Sequence, residues 1–379
     1  MSTVVKVKLS RKIDDSYAIV IGSGLSKSLG KQIVRDGFGG KYCIITDSNT
    51  QKIFGKKLLS QLRSAGAHAQ MIVFSGGEEN KNISSVEKIL EQMLAKGFGR
   101  RDCIVALGGG IVGDVAGFAA SVYLRGINFV QVPTTLLAMV DSSIGGKTGV
   151  NLSEGKNSAG AFYQPKKVYI CPELLKTLPE NEMRNGMSEI VKHAIMFDAK
   201  FFAYLEKNLG KIMKLDSKTL EYVIKRNCEL KAKVVEKDEL ESNFRRVVNY
   251  GHTIGHALEV LTGYKGMSHG EAISIGMVSE AVIAYEMGLM KAHDIDKIAN
   301  LLHKIGLPID LPNIEMESIL SATRKDKKAV SGKVYYSLPA GIGKATRSKG
   351  QYGIEVSDEM VRNSLGCCDD NCSCCCENC

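Results

Sequence analysis

Apolar and polar positions along the first half of the chain alternate between two textures. Short apolar runs of strand length occur at Tyr17–Ile21, Tyr42–Thr46, Gln70–Phe74, Cys103–Leu107, Phe129–Val132 and Lys167–Cys171. Helix-length amphipathic stretches such as Gln51–Arg63 and Ile83–Ala95 lie between several of them. Buried strands separated by helices are the pattern of a parallel sheet covered on both faces, so an α/β domain with a Rossmann-like parallel sheet is predicted over 1–177. Beyond Pro172 the period changes. Glu182–Lys207 and Lys218–Val235 carry apolar residues at helical spacing with charge on the opposite face, which predicts a mainly α-helical domain over 178–365. Lys333–Leu338 reads as a short strand within it, and the first residues, Met1 to Lys8, alternate like a strand.

Composition narrows the function. The apolar fraction is 44% and the charged fraction 24%, as in ordinary globular proteins. No apolar run reaches bilayer length and the N-terminus lacks a signal-peptide core, which predicts a cytoplasmic protein with no membrane partner. The net charge of +9 is spread along the chain without a basic block or nucleic-acid motif. It therefore favours small anionic ligands over nucleic acid. Four of the 11 cysteines, Cys43, Cys103, Cys171 and Cys228, sit in apolar contexts and read as small buried hydrophobes. The other seven fall within 367–379, a low-complexity tail (366–379) that reads as disordered or as a soft-metal tract.

Glycine-rich segments at strand ends supply candidate phosphate cradles. Gly108-Gly109-Gly110 follows a strand and opens a helix, continuing through Gly113 and Asp114. Contiguous glycines admit a ligand close to the backbone, and the helix N-terminus offers unpaired N–H groups to a pyrophosphate. Gly76-Gly77-Glu78-Glu79-Asn80-Lys81 stands at another strand end, and Asp47 and Asn49 at a third, positioned to hold a ribose. Gly22-Ser23-Gly24 reads as scaffold. The densest polar segment, Asp141 to Asn157 with Gly145, Gly146, Lys147 and Lys156, has the composition of a phosphate pocket, with an exposed loop as the alternative.

His252 and His256, four apart, share one face of a predicted helix; His269 follows and Glu189 lies upstream. Two imidazoles and a carboxylate would leave an open position on a bound Zn²⁺, as catalytic rather than structural zinc requires. Which of these histidines are ligands is left open by spacing alone.

Together, Gly108–Phe118, Arg125-Gly126, Val132-Pro133-Thr134-Thr135, Asp141–Asn151, Lys231–Glu241, Arg245–Glu259, His269-Gly270-Glu271 and Asp326-Lys327-Lys328 resemble the 3-dehydroquinate synthase family of sugar phosphate cyclases, in that family's order. The resemblance implies Glu189, His252 and His269 as ligands of a divalent metal, zinc or cobalt. His256 then becomes an acid/base, with Glu241 in a similar role. It implies an NAD site at Asp47, Glu78, Lys81, Gly109, Gly110, Asp114, Thr134, Thr135 and Thr177. Asp141, Lys147, Lys156, Asn157 and Lys192 would meet nicotinamide or substrate. Arg245 and Lys231 would clamp a substrate carboxylate, and Lys147, Asn249, His256 and Lys327 or Lys328 the phosphate. Arg125 would come from a neighbouring subunit, implying a homodimer. The implied reaction turns 3-deoxy-D-arabino-heptulosonate 7-phosphate into 3-dehydroquinate and phosphate, with NAD recycled. The alternatives are another sugar phosphate cyclase, such as 2-deoxy-scyllo-inosose synthase, or a metal- and NAD-dependent polyol dehydrogenase. His193 stands where the family often has Tyr, and reads as a core residue.

Overall fold

The computed structural model describes residues 6–9, 14–263, 266–324 and 334–366. The Asp326-Lys327-Lys328 segment and the seven tail cysteines lie outside the described residues, as do most of the strand-like start and Lys333. Lys6–Leu9, which is described, forms no strand.

Six parallel strands make the central sheet: β1 (Ala18–Ile21), β2 (Lys41–Asp47), β3 (His68–Phe74), β4 (Cys103–Gly108), β5 (Asn128–Pro133) and, after a hairpin, β8 (Lys167–Ile170). Their spatial order is β1-β8-β5-β4-β2-β3. The helices between them are α1 (Leu29–Asp36), the single turn α2 (Ser48–Thr50), α3 (Lys56–Ser64), α4 (Ile83–Ala95) and α5 (Gly110–Val122). Alternation along each strand feeds two cores. Tyr42 and Ile44 of β2, with Val105 and Leu107 of β4, face one cluster. Cys43, Ile45, Ile104 and Ala106 face the other, against α4 and α5. Period-two geometry leaves central strands no exposed face, hence their unbroken apolar sequence. All four scattered cysteines are buried and free.

The polar segment after β5 is built structure. A helical turn at Ala138–Ser142 leads into an antiparallel hairpin, β6 (Lys147–Leu152) and β7 (Gly155–Phe162). Glycine is required here: a Cβ on Gly160 would lie 2.2 Å from Thr148 O. This stretch is a hairpin rather than a loop, with β7 half-buried to exposed along its length.

The second half is helical: α6 (Glu180–Phe197), α7 (Ala199–Met213), α8 (Ser217–Lys237), α9 (His252–Leu261), α10 (His269–Glu286), α11 (Ala292–Ile305), α12 (Met316–Arg324) and α13 (Asp358–Gly366). A two-residue strand pair, β9 (Tyr335–Tyr336) with β10 (Ile354–Glu355), accounts for the predicted strand. The helical stretch over 182–207 is divided between two helices, because Asp198 leaves helical geometry and its carboxylate accepts from Phe201 N at 3.0 Å, capping α7. The α6, α8, α9 and α10 helices share the core cluster of one sheet face, so apolar packing joins the helical half to the sheet. Two further glycines set the α9–α10 crossing. A Cβ on Gly276 would stand 2.1 Å from Gly251 O, and Gly251 adopts φ +76. This close crossing brings the starts of both helices together.

Candidate active site

Glu189 on α6, His252 at the start of α9 and His269 at the start of α10 converge. Glu189 Oε1 lies 3.4 Å from His252 Nε2 and 3.3 Å from His269 Nε2, and the three donor atoms fall within 4.8 Å of one another. The two imidazole rings are 5.2 Å apart, centroid to centroid. His252 Nδ1 donates to Tyr250 O at 3.1 Å, which leaves its Nε2 lone pair facing the carboxylate. Glu189 is 1% exposed, and its other oxygen contacts Lys192 Nζ, itself buried.

The electrostatics suit a cation. Burial opposes ionisation of Glu189, but the Lys192 ammonium and the bonds to both histidines hold its carboxyl well below the usual range. Burial, aided by the Lys192 charge, pushes His252 down to about 3, so it is a neutral imidazole. Burial also lowers His269, yet Glu189 and Glu259 outweigh it and raise the imidazole to about 9. An anionic oxygen and two Nε2 atoms are a borderline-hard donor set that fits Zn²⁺ or Co²⁺.

A cavity of about 1150 Å³ adjoins this cluster. Of the residues singled out from sequence, Asp114, Asp141, Lys147, Lys156, Asn157, Lys231, Glu241, Arg245 and His256 line it. Three of its lysines face carboxylates: Lys147 contacts Glu241, Lys156 Nζ is 3.4 Å from Glu259, and Lys231 Nζ is 2.5 Å from Asp141. Burial resists charge on Asp141, but Lys231 and Lys192 keep it well below the carboxylate norm. Asn249 Nδ2 donates to Glu241 Oε1 at 3.1 Å. Arg245, 1% exposed, donates through Nη1 and Nη2 to Gly145 O, both at 3.0 Å.

That inner wall depends on one carboxylate outside it. Asp238 accepts from Ser242 N, Asn243 N and Arg245 N at 2.8, 2.7 and 3.0 Å. This folds back the loop that carries Glu241 at φ +60.

The strand-end glycines form a second neighbourhood. Gly109 precedes α5 without any side-chain cap, so the helix N–H groups stay open. A Cβ on Gly109 or Gly110 would come within 3.0 Å of Thr135 or 3.1 Å of Ser142. Parallel register sets Asp47 at the end of β2 on the same sheet edge as Gly108. Its carboxylate accepts from Asn49 N and Thr50 N, and Asn49 Nδ2 stands beside Gly76. Lys81 Nζ bridges Asp114 Oδ2 at 2.5 Å and Asn157 Oδ1 at 2.6 Å, while Glu78 Oε1 accepts from Asn151. Thr134 N donates to Gly108 O. An uncapped helix N-terminus in a glycine cradle fits the pyrophosphate of a dinucleotide.

Arg125 and Thr177 are exposed, away from the cavity lining. The Gly22-Ser23-Gly24 turn is filled by the chain's own acids: Glu173 accepts from Gly24 N and Ser26 N, and Glu221 from Ser23 N. His193 is fully buried with Nδ1 3.0 Å from Asn227 Oδ1, yet its Nε2 points at Asp141 Oδ1, 3.5 Å away, so it is a polar member of the site wall as well as a core residue. Sequence reasoning passed over Ser142, Glu259 and the α12 face of Glu317, Ser318 and Ser321, all of which line the cavity.

A parallel sheet with an open helix N-terminus, joined to a helical half bearing a Glu/His/His cluster, is the architecture of the sugar phosphate cyclases. The chain aligns with 2-epi-5-epi-valiolone synthase from Streptomyces hygroscopicus subsp. jinggangensis 5008, a structure with NAD⁺ and Zn²⁺ bound, at a TM-score of 0.85 and 27% identity, covering 95% of this chain and 98% of that one. A 2-deoxy-scyllo-inosose synthase complexed with carbaglucose-6-phosphate, NAD⁺ and Co²⁺ aligns at a TM-score of 0.82 and 32% identity, covering 92% and 95%.

Within that class the chain belongs to the 3-dehydroquinate synthase family. Residues 71–185 match the model of the 3-dehydroquinate synthase N-terminal region and 186–329 that of its C-terminal region. The 3-dehydroquinate synthase of Thermodesulfovibrio yellowstonii is 44% identical over 92% of this chain and 96% of its own.

Proposed function

We propose that this protein converts 3-deoxy-D-arabino-heptulosonate 7-phosphate into 3-dehydroquinate and phosphate, using recycled NAD and one divalent cation, zinc or cobalt. The observation that carries this reading is the convergence of Glu189, His252 and His269 beside a cavity whose lysines are paired with carboxylates.

When bound, NAD takes up and returns a hydride, while the cation polarises the reacting oxygen. Glu189, His252 and His269 would hold the cation. The α5 N-terminus at Gly109 and Gly110 would receive the pyrophosphate, with Asp47, Asn49, Glu78, Lys81, Asp114, Thr134, Thr135 and Thr177 around the nucleotide. Arg245 and Lys231 would bind the substrate carboxylate, and Lys147, Asn249, His256 and Lys327 or Lys328 its phosphate. Glu241 and His256 would move protons at the substrate hydroxyls, and Lys156, Asn157, Lys192 and Asp141 would orient the reacting carbon. An anionic substrate displaces the carboxylate partners of Lys147 and Lys231, so their charges are already directed into the cavity.

The same reading assigns 1–177 to nucleotide binding and 178–365 to metal and substrate, with Arg125 completing the site of a partner in a homodimer. Among the described residues no helix is long and apolar enough to cross a membrane; the same reading assigns the protein to the cytoplasm.

The test is an assay with substoichiometric NAD⁺. Phosphate should appear in multiple turnovers from the seven-carbon keto acid phosphate, without net NADH. Turnover of glucose 6-phosphate or sedoheptulose 7-phosphate in its place, or stoichiometric NADH from a polyol, would overturn the assignment.

A further inference from the structure

Each imidazole that faces Glu189 needs something to hold its other nitrogen. For His252 that group is the Tyr250 carbonyl. For His269 it is a carboxylate from the neighbouring helix: Nδ1 lies 3.6 Å from Glu259 Oε1. Because a carboxylate only accepts, Nδ1 carries a proton toward Glu259 and keeps it when a cation takes the place of the proton on Nε2, the atom that faces Glu189. The second Glu259 oxygen, Oε2, lies 3.9 Å from His256 Nε2. Lys156, reaching over from the hairpin, places Nζ 3.4 Å from Oε1. Glu259 is 6% exposed, and it stands in the last turns of α9, where a surface glutamate would have no reason to turn inward. Three nitrogen-bearing side chains from three elements therefore share one buried carboxylate.

We propose that Glu259 is the positioning residue of the centre, orienting His269 for the cation through one oxygen and His256 for proton transfer through the other. This rests on the cation site assigned above. A carboxylate behind a ligating imidazole fixes its tautomer and raises its basicity, and loss of such an outer partner typically weakens metal binding about 10–100-fold. Here the same group also reaches His256, so its removal disturbs two functions that a merely structural acid would leave alone. The negative charge, rather than volume, is what both histidines use.

The experiment is Co²⁺ titration of the full-length, metal-stripped protein with accessible thiols blocked by iodoacetamide, comparing wild type with Glu259→Gln, Glu259→Asp and Lys156→Met. Glu259→Gln keeps the shape and loses the charge; it should weaken Co²⁺ about 10–100-fold while the stripped protein stays folded at the assay temperature, as circular dichroism reads. Glu259→Asp should recover part of the loss. Lys156→Met, which removes the third neighbour of the carboxylate, should stay within about threefold of wild type. In the metal-saturated enzyme the pH dependence of kcat should shift in Glu259→Gln, since His256 loses its facing charge. Affinity within twofold of wild type in Glu259→Gln, or an equal loss in Lys156→Met, would overturn the proposal. Failure of wild type to bind Co²⁺ at all, or binding indifferent to His252→Ala, would instead remove the cation site itself.

Discussion

Glu189 Oε1 lies 3.3 Å from His269 Nε2, although the two residues are 80 positions apart in the chain. The contact exists because α6 and α10 pack against each other, with Gly270 N donating to Asn185 Oδ1 at 2.6 Å one turn from Glu189. One carboxylate oxygen and two Nε2 atoms converging on one point are a donor set that suits a divalent cation. Replacing Glu189 by Gln should therefore cost more divalent-metal affinity than the roughly 10–100-fold expected on losing an outer partner. Equilibrium dialysis against Zn²⁺, with thiols blocked, reads the loss directly.

Metal uptake should be coupled to one proton. His269 stands at about 9 in the ion-free protein, whereas His252 is already neutral near pH 7, at about 3. A cation taking His269 Nε2 must displace the proton there, so apparent affinity should rise about tenfold per pH unit and level off above about 9. The sign for stability is the opposite. A folded value above the ordinary 6.5 stabilises the ion-free protein fully below 6.5, and that contribution is lost as pH rises through about 9. Chelator competition at several pH values measures the first effect, and urea unfolding of the stripped protein the second.

The α9–α10 crossing is a packing constraint with a functional consequence. Gly276→Ala drives a methyl to within 2.1 Å of Gly251 O and 3.0 Å of Gly255 N. Neither atom can move without the helix that carries His252 and His256. Overpacking of this kind should cost about 1–3 kcal/mol in unfolding free energy, together with weaker metal binding. Differential scanning calorimetry and the Co²⁺ titration should change in parallel.

On the nucleotide side, Lys81 is 5% exposed and pairs with Asp114 at 2.5 Å. Asp114→Ala would leave a buried ammonium held only by Asn157, and should cost about 3 kcal/mol. The double replacement Lys81→Met with Asp114→Ala should recover part of it. NAD⁺ affinity, read by quenching of tyrosine fluorescence or by calorimetry, should fall in both.

Much of this was legible in the residues. The inner sheet strands announce themselves because central parallel strands bury both faces, which leaves uninterrupted apolar runs such as Cys103–Gly108. Asp198 divides the helical stretch over 182–207 because an Asx cap competes locally with helix continuation, a preference that periodicity does not register. The hairpin at 147–162 was hidden by its glycines, whose role is close backbone approach rather than a turn. Glu259 was missed for a different reason. On α9 it looks like a surface acid; its partners Lys156 and His269 are supplied by β7 and α10, and no local pattern announces a contact between elements.

The most direct measurement is zinc K-edge X-ray absorption on full-length protein with its accessible thiols blocked, loaded with one Zn²⁺ per chain and compared with His252→Ala. A centre formed by Glu189, His252 and His269 gives a shell of nitrogen and oxygen scatterers alone, at about 2.0–2.2 Å. A shell unchanged in His252→Ala would place the ion elsewhere and contradict the site on which the proposed chemistry depends.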